Sequence, residues 1–112
     1  MRENSKLIVI TRSDIDLGSQ AVQSSHAAIQ FIYEHPEIAK QCYNISNYLV
    51  LLSVKNKKEL LDLVDKFDQR GIHISKFHEP DLGNELTSIA IEPTSRARRL
   101  VSSLPLLLKT NY

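Results

Sequence analysis

Two short stretches hold most of the chemically capable side chains. In residues 18–35, GSQAVQSSHAAIQFIYEH, a helical row that opens at Ser19 carries Gln23 four residues on, His26 at seven and Gln30 at eleven. In residues 77–87, FHEPDLGNELT, the three carboxylates of Glu79, Asp81 and Glu85 fall within seven residues, with His78 and Thr87 beside them and a rigid Pro80 in the turn. Crowded carboxylates repel one another, and burial of a carboxylate raises its pKa toward the range in which it takes a proton from water. Plainer roles fit the same residues. Ser19 suits a helix N-cap, a histidine beside Ala and Ile is more often an imidazole bonded to a carbonyl, and Asp81 and Asn84 suit an acidic, solvated turn. Metal chemistry has less support, because His73, His78, Glu79 and Asp81 lack any standard zinc spacing. No P-loop, dinucleotide fingerprint or Cys/His cluster occurs, and no G-x-S-x-G surrounds Ser19. Neither a metal nor an organic cofactor is expected.

Hydrophobic periodicity supplies the elements that would position these groups. KLIVIT, from Lys6 to Thr11, is a continuous aliphatic run of strand length, and RSDIDLGS then brings turn residues. Gln20 to about Glu34 reads as a helix whose inward stripe is Val22, His26, Ile29 and Tyr33, with Ser19 as its cap. Pro36 interrupts it, and residues 37–43 add another turn or two. NYLVLLSV (47–54) is a second buried strand. NKKELLDLVDKFDQRG is a helix capped by Asn56, stopped by Gly71 and faced by Leu60, Leu63, Val64 and Phe67. IHISKFH and LTSIAIE read as two strands joined by EPDLGN, and a last helix covers about Ser95 to Ser103. The order β-α-β-α-β-β-α predicts an α/β fold: one domain over residues 1–112, with a mixed sheet of about four strands and helices on both faces. Ligands of such folds sit at the carboxyl ends of strands beside helix starts, which points to the loop before the first helix and to Gly18 and Ser19 within it.

Composition narrows the classes. With 42% hydrophobic and 24% charged residues and a net charge of +1, the chain has the makeup of a globular protein without a global field for nucleic acid, so any such binding needs a local patch. No apolar run approaches the roughly 20 residues that span a bilayer, and MRENSK lacks the apolar segment of a signal peptide. A cytoplasmic protein without membrane attachment is expected, and a single cysteine, Cys42, fits a reducing compartment.

Taken in order, RSDIDLGSQAVQSSHAA, NYLVLLSV, ELLDLVDKF, GIHISKFHEPD and LTSIAIEP resemble the peptidyl-tRNA hydrolases of the archaeal and eukaryotic type over about residues 6–108. The most specific parts are an Arg-x-Asp loop (Arg12, Asp14) leading to Gln-x-x-His-Ala-Ala (Gln23 to Ala28), and the run from acidic Glu79 through Thr87 to Pro93. The resemblance implies hydrolysis, without metal or cofactor, of the ester joining a peptidyl or N-blocked aminoacyl group to tRNA. By position, Gln23, His26, Glu79 and Thr87 match its site, Glu79 stands where the family has an aspartate, and Asp81 is the alternative carboxylate. Substrate contacts would then come from Gly18, Ser19 and Arg12, and tRNA phosphates would meet Lys76, Arg96, Arg98 and Arg99. A homodimer is compatible with this reading.

One departure is chemical. The family has a glycine- and lysine-rich approach to the first helix, whereas here the loop is about two residues shorter, Ser19 occupies the lysine position, and no Lys or Arg occurs from Ser13 to Ala39. Loss of one donor to a developing oxyanion typically costs about 3 to 4 kcal/mol of barrier. The alternative is therefore a non-hydrolytic relative that binds tRNA, a partner protein or a small ligand.

Overall fold

A computed structural model describes residues 5–109. Its elements run β1 (Lys6–Arg12), α1 (Leu17–Glu34), α2 (Pro36–Ile45), β2 (Tyr48–Val54), α3 (Lys57–Gln69), β3 (Ile74–Glu79), a single 3-10 turn (Pro80–Leu82), β4 (Glu85–Ile91) and α4 (Ser95–Leu100). The four strands form one sheet in the order β2-β1-β4-β3, with β1 parallel to β2 and antiparallel to β4, and β3 and β4 antiparallel. The expected α/β fold, mixed sheet and two-faced helical cover are all present.

The aliphatic run of β1 explains its central place, since a strand covered on both faces reads as continuous hydrophobics. Ile8 and Ile10 join Leu60, Val64 and Phe67 of α3 and Ala97 of α4 on one face. Val9 joins Ala27 and Phe31 of α1 and Ala90 of β4 on the other, with Ile38 and Ala39 of α2 packed against them. Local chemistry sets the ends. Asn56 accepts from the Glu59 N–H at 3.0 Å while Glu59 reaches back to the Lys55 N–H at 2.8 Å, and Gly71, at φ 65°, closes α3 in the left-handed conformation that favours glycine. Pro36 opens α2, where a missing N–H costs nothing.

Several details differ from the sequence reading. Residues 36–45 form a full helix, and α4 stops at Leu100. The α1 helix starts at Leu17 and its cap is Asp16, whose carboxylate accepts from the Ser19 N–H at 2.8 Å; Ser19 lies inside the first turn. The largest correction is rotational. Val22, Ile29 and Tyr33 are 51%, 63% and 83% exposed, and the buried row is Gln20, Gln23, Ser24, Ala27 and Phe31. Apolar residues lie all round this helix, so periodicity alone is ambiguous. Small Ser24 and Ala27 allow close approach to the sheet, and the two glutamines find partners there.

At the amino end of β1 the dominant polar interaction is Glu92, 4% exposed. It accepts from the His73 N–H at 2.7 Å, Thr94 Oγ1 at 2.7 Å, Arg96 Nε at 3.2 Å and His73 Nδ1 at 3.2 Å. Burial pushes its carboxyl up, but the His73 N–H, Arg96, Thr94 and the His73 ring together outweigh that and hold it at about 2, below the ordinary 4.5. A lowered folded pKa stabilises the fold above the unfolded value and is lost as pH falls through the folded one, here between about 4.5 and 2. Linkage puts the contribution at about 3 kcal/mol near neutrality. Glu92→Gln should lower the unfolding free energy in urea by about 2 to 3 kcal/mol at pH 7 and flatten the acid limb of the stability profile; an unchanged limb would assign acid sensitivity to other carboxylates.

Candidate active site

The carboxyl end of β1 lies beside the amino end of β4, and α1 crosses both. Two devices turn side chains toward α1 here. The first is a β-bulge. Phe77 pairs with Ser88 and His78 pairs with Leu86, so Thr87 is the extra residue on β4. Two adjacent residues of a bulged strand oppose one on its partner, and the bulge re-aims a side chain. Thr87 and Ser88 therefore both reach α1-side partners, while Leu86 and Ile89 keep to the opposite core.

The second device is the polar row of α1. Thr87 Oγ1 donates to Gln23 Oε1 at 2.5 Å, and Gln23 Nε2 donates to Glu79 Oε1 at 2.8 Å. The Thr87 hydroxyl and the Glu79 carboxylate thus fix which end of the amide is oxygen. Thr87 is fully buried and Gln23 3% exposed, whereas Glu79 is half-buried and opens toward solvent. Beside this relay, Thr11 Oγ1 contacts Ser24 Oγ at 2.8 Å and Ser88 Oγ at 2.7 Å, stitching α1, β1 and β4 together. Gln20 Nε2 donates to Ile15 O at 2.7 Å and holds the loop before the helix.

The other expected residues are distributed more widely. His26 is exposed, and its ring lies flat on Phe77 with centroids 4.4 Å apart and planes 10° apart, so it braces α1 on β3 instead of lying deep in the site. Asp81 is exposed in the 3-10 turn, where its N–H approaches Glu79 Oε2 at 3.4 Å. Gly18 and Ser19 occupy the first turn of α1, where Asp16 accepts from both the N–H and, at 3.1 Å, the hydroxyl of Ser19. These bonds, the backbone one foremost, hold Asp16 below the usual carboxylate range. The positive end of this helix, which attracts anions, thus already carries a carboxylate of the chain itself.

The nearby cations are also engaged. The guanidinium of Arg12 grips Asp14 at 2.7 and 2.9 Å and reaches Glu85 at 3.3 Å, and Lys57 meets Glu85 at 3.0 Å. Lys57 and then Arg12 keep Glu85 below the usual carboxylate range, so it stays ionised and unsuited to a base role. Lys76 is exposed on β3, about three residues and 10 Å of strand from Glu79. Arg96 is held by Glu92 and by the Gly71 carbonyl at 3.2 Å. With Arg98 and Arg99 it lies beyond the other end of β4, which is itself four residues or about 13 Å of strand from Thr87. The structure therefore separates these three arginines from the Gln23–Glu79–Thr87 cluster. Among the described residues no group of three or more His, Cys, Asp or Glu side chains is arranged to hold a metal ion, and no helix is long and apolar enough to cross a membrane.

Sequence reasoning missed Asp16, Thr11, Ser24 and Ser88. Signals existed for two of them. Asp is as good a cap as Ser, and the adjacent polar pair Thr87-Ser88 between Leu86 and Ile89 breaks strand alternation as a bulge does.

An α/β layer with a short parallel pair, an antiparallel hairpin and a Gln–carboxylate–Thr relay at one sheet end defines the class. The family model of peptidyl-tRNA hydrolase PTH2 matches residues 5–107, and the chain belongs to that family. Among solved structures, it is similar to a protein of unknown function from Agrobacterium tumefaciens, with a TM-score of 0.66 and 14% identity over 92% of this chain and 97% of that one. That likeness bears on the fold alone. No curated protein matches the chain.

Replacing Thr87 by Val would keep its shape but leave Gln23 Oε1 buried without a donor. We expect a loss of about 1 to 3 kcal/mol of stability, measured by urea denaturation, with greater exchange of the Gln23 side-chain amide in NMR. An unchanged amide signal would mean that the bond to Glu79 alone orients the glutamine.

Proposed function

We propose that the protein hydrolyses the ester of peptidyl-tRNA or N-blocked aminoacyl-tRNA, with Glu79 as the base that takes a proton from the attacking water. The observation that carries this reading is the relay from Thr87 through Gln23 to Glu79. It spends a buried amide and a buried hydroxyl on aiming one partly exposed carboxylate, whose second oxygen, among the described residues, has only the long contact to the Asp81 N–H. Family membership supplies the reaction class.

In this mechanism water bonds to the ester carbonyl carbon as its proton passes to Glu79, giving a tetrahedral oxyanion. Collapse breaks the bond to the ribose oxygen, which leaves with the proton returned by Glu79, so the carboxylate is regenerated. Gln23 and Thr87 position the base, and His26 sets the distance between α1 and β3 through Phe77. Glu79→Gln keeps an acceptor for Gln23 Nε2 but cannot take a proton. Turnover of purified protein on N-acetyl-aminoacyl-tRNA should fall at least about a hundredfold, with unfolding unchanged within about 0.5 kcal/mol. Asp81→Asn should stay within about twofold, because Asp81 stands outside the relay; full activity in the Glu79 variant would remove the proposed base.

The second reading, a family member that binds tRNA, a protein or a small ligand without cleaving it, is favoured by one observation: Ser19 stands at the family's lysine position, and its N–H is held by the carboxylate of Asp16. Ser19→Lys separates the two. In a hydrolase short of one cation, it should raise kcat about tenfold or more, part of the roughly hundredfold value of one oxyanion donor. No gain, together with no wild-type turnover, would support the binding protein.

A further inference from the structure

The end of the sheet remote from Glu79 carries a feature that hydrolysis does not use. Between the first residues of β1 and β2 and the chain following α4 is an open groove of about 300 Å³. Its floor is wholly aliphatic, with Ile8, Val50, Leu52, Val101 and Leu104, and its rim carries Lys6, Arg98 and Arg99. Among the described residues no carboxylate lines it. Among the described residues, none of the three cations makes an ion pair, in contrast to Arg12, Lys57, Lys58 and Arg96, which all do. In a chain of net charge +1, three cations without an ion pair among the described residues gather over one apolar hollow.

We propose that this groove binds a small amphiphilic anion: an aliphatic body on the floor, with a carboxylate or similar anionic head between Lys6, Arg98 and Arg99. Charge complementarity selects the head, because like charges over an apolar surface repel unless an anion is shared among them, and guanidinium forks match its oxygens. The lining selects the body. It contains no aromatic ring on which a nucleobase would stack, which separates the site from single-stranded RNA platforms. A volume of about 300 Å³ is the lower end of what small-molecule sites enclose, so a single short chain fits better than a two-chain lipid.

The test is a titration of the full-length protein, with methyl groups labelled, by decanoate, decanol and decyltrimethylammonium in turn, followed by NMR. Decanoate should shift the Ile8, Val50, Leu52 and Val101 methyls saturably, decanol should bind at least about tenfold more weakly, and the cation should not bind, since charge-assisted contacts contribute about 1.5 to 3 kcal/mol. Arg98→Gln with Arg99→Gln, both on the surface of a short helix, should weaken decanoate about tenfold or more while the folded spectrum persists. Val50→Trp, which fills the floor, should abolish the shifts; if that variant does not fold, the arginine pair and the decanol arm still decide. Phosphatidylglycerol vesicles distinguish the source, because a site for a free amphiphile leaves the protein in solution with them. Equal binding of decanol and decanoate, methyl shifts elsewhere, or vesicle binding without decanoate binding would each overturn the proposal.

Discussion

One end of the sheet depends on keeping the buried Gln23 amide satisfied at both ends. Left without partners, such an amide would cost several kcal/mol to desolvate, a large fraction of the roughly 5 to 15 kcal/mol that holds a domain folded. Its oxygen needs a donor from the sheet and its nitrogen an acceptor from the sheet's edge. Regular alternation would send Thr87 into the α3 core with Leu86's neighbours, and only the bulge opposite Phe77 turns it toward α1. The bulge, the bend it puts into β4 and the position of Glu79 at the end of β3 form one solution to that requirement. The neighbouring Thr11–Ser24–Ser88 hydroxyls let α1 approach closely along the same line.

The same economy appears in the charges, but with opposite outcomes at the two ends of the sheet. On the Glu79 side two cations are matched, Arg12 by Asp14 and Glu85 and Lys57 by Glu85. A polyanion approaching that mouth meets a neutral or slightly acidic surface, so steering by the long-range field is weak there. At the other end Arg96 is consumed by Glu92, a pairing that secures the fold, while its neighbours Arg98 and Arg99 project over an aliphatic hollow. Three arginines that look alike in the sequence therefore divide between a structural role and an open cationic rim.

Much of the architecture was legible because its signals are local. The aliphatic run of β1, the Asn56 cap and Gly71 stop of α3 and the close-set final strands each encode one element regardless of context. Motif order singled out Gln23, Glu79 and Thr87 of the candidate site, and these three side chains are linked by hydrogen bonds. Their geometry was not legible. Rotation of α1 depends on which of several uncharged faces finds partners on the sheet, a long-range property that placed Val22, Ile29 and Tyr33 outward against their spacing. The same holds for Ser19, a cap by residue type that lost the position to Asp16 because the helix begins three residues earlier than its apolar pattern.

That early start ties the loop to its cap. A helix opening at Leu17 places its positive dipole end beside Asp16, and a carboxylate there is stabilising in itself. With the dipole answered by an aspartate of the same chain, the first turn already holds its counter-charge, so the short loop and the Asp16 cap belong together. The Ser19 N–H is taken by Asp16 and the Gln20 N–H by the Asp16 carbonyl at 2.9 Å. The other two first-turn N–H groups, those of Leu17 and Gly18, are on exposed residues. Gly18 has ordinary helical backbone, and a Cβ built there would meet only Asp16 Oδ1 at 3.6 Å. The glycine thus fits the first turn beside the Asp16 cap without any demand of backbone strain, and the loop's chemistry is set by the aspartate.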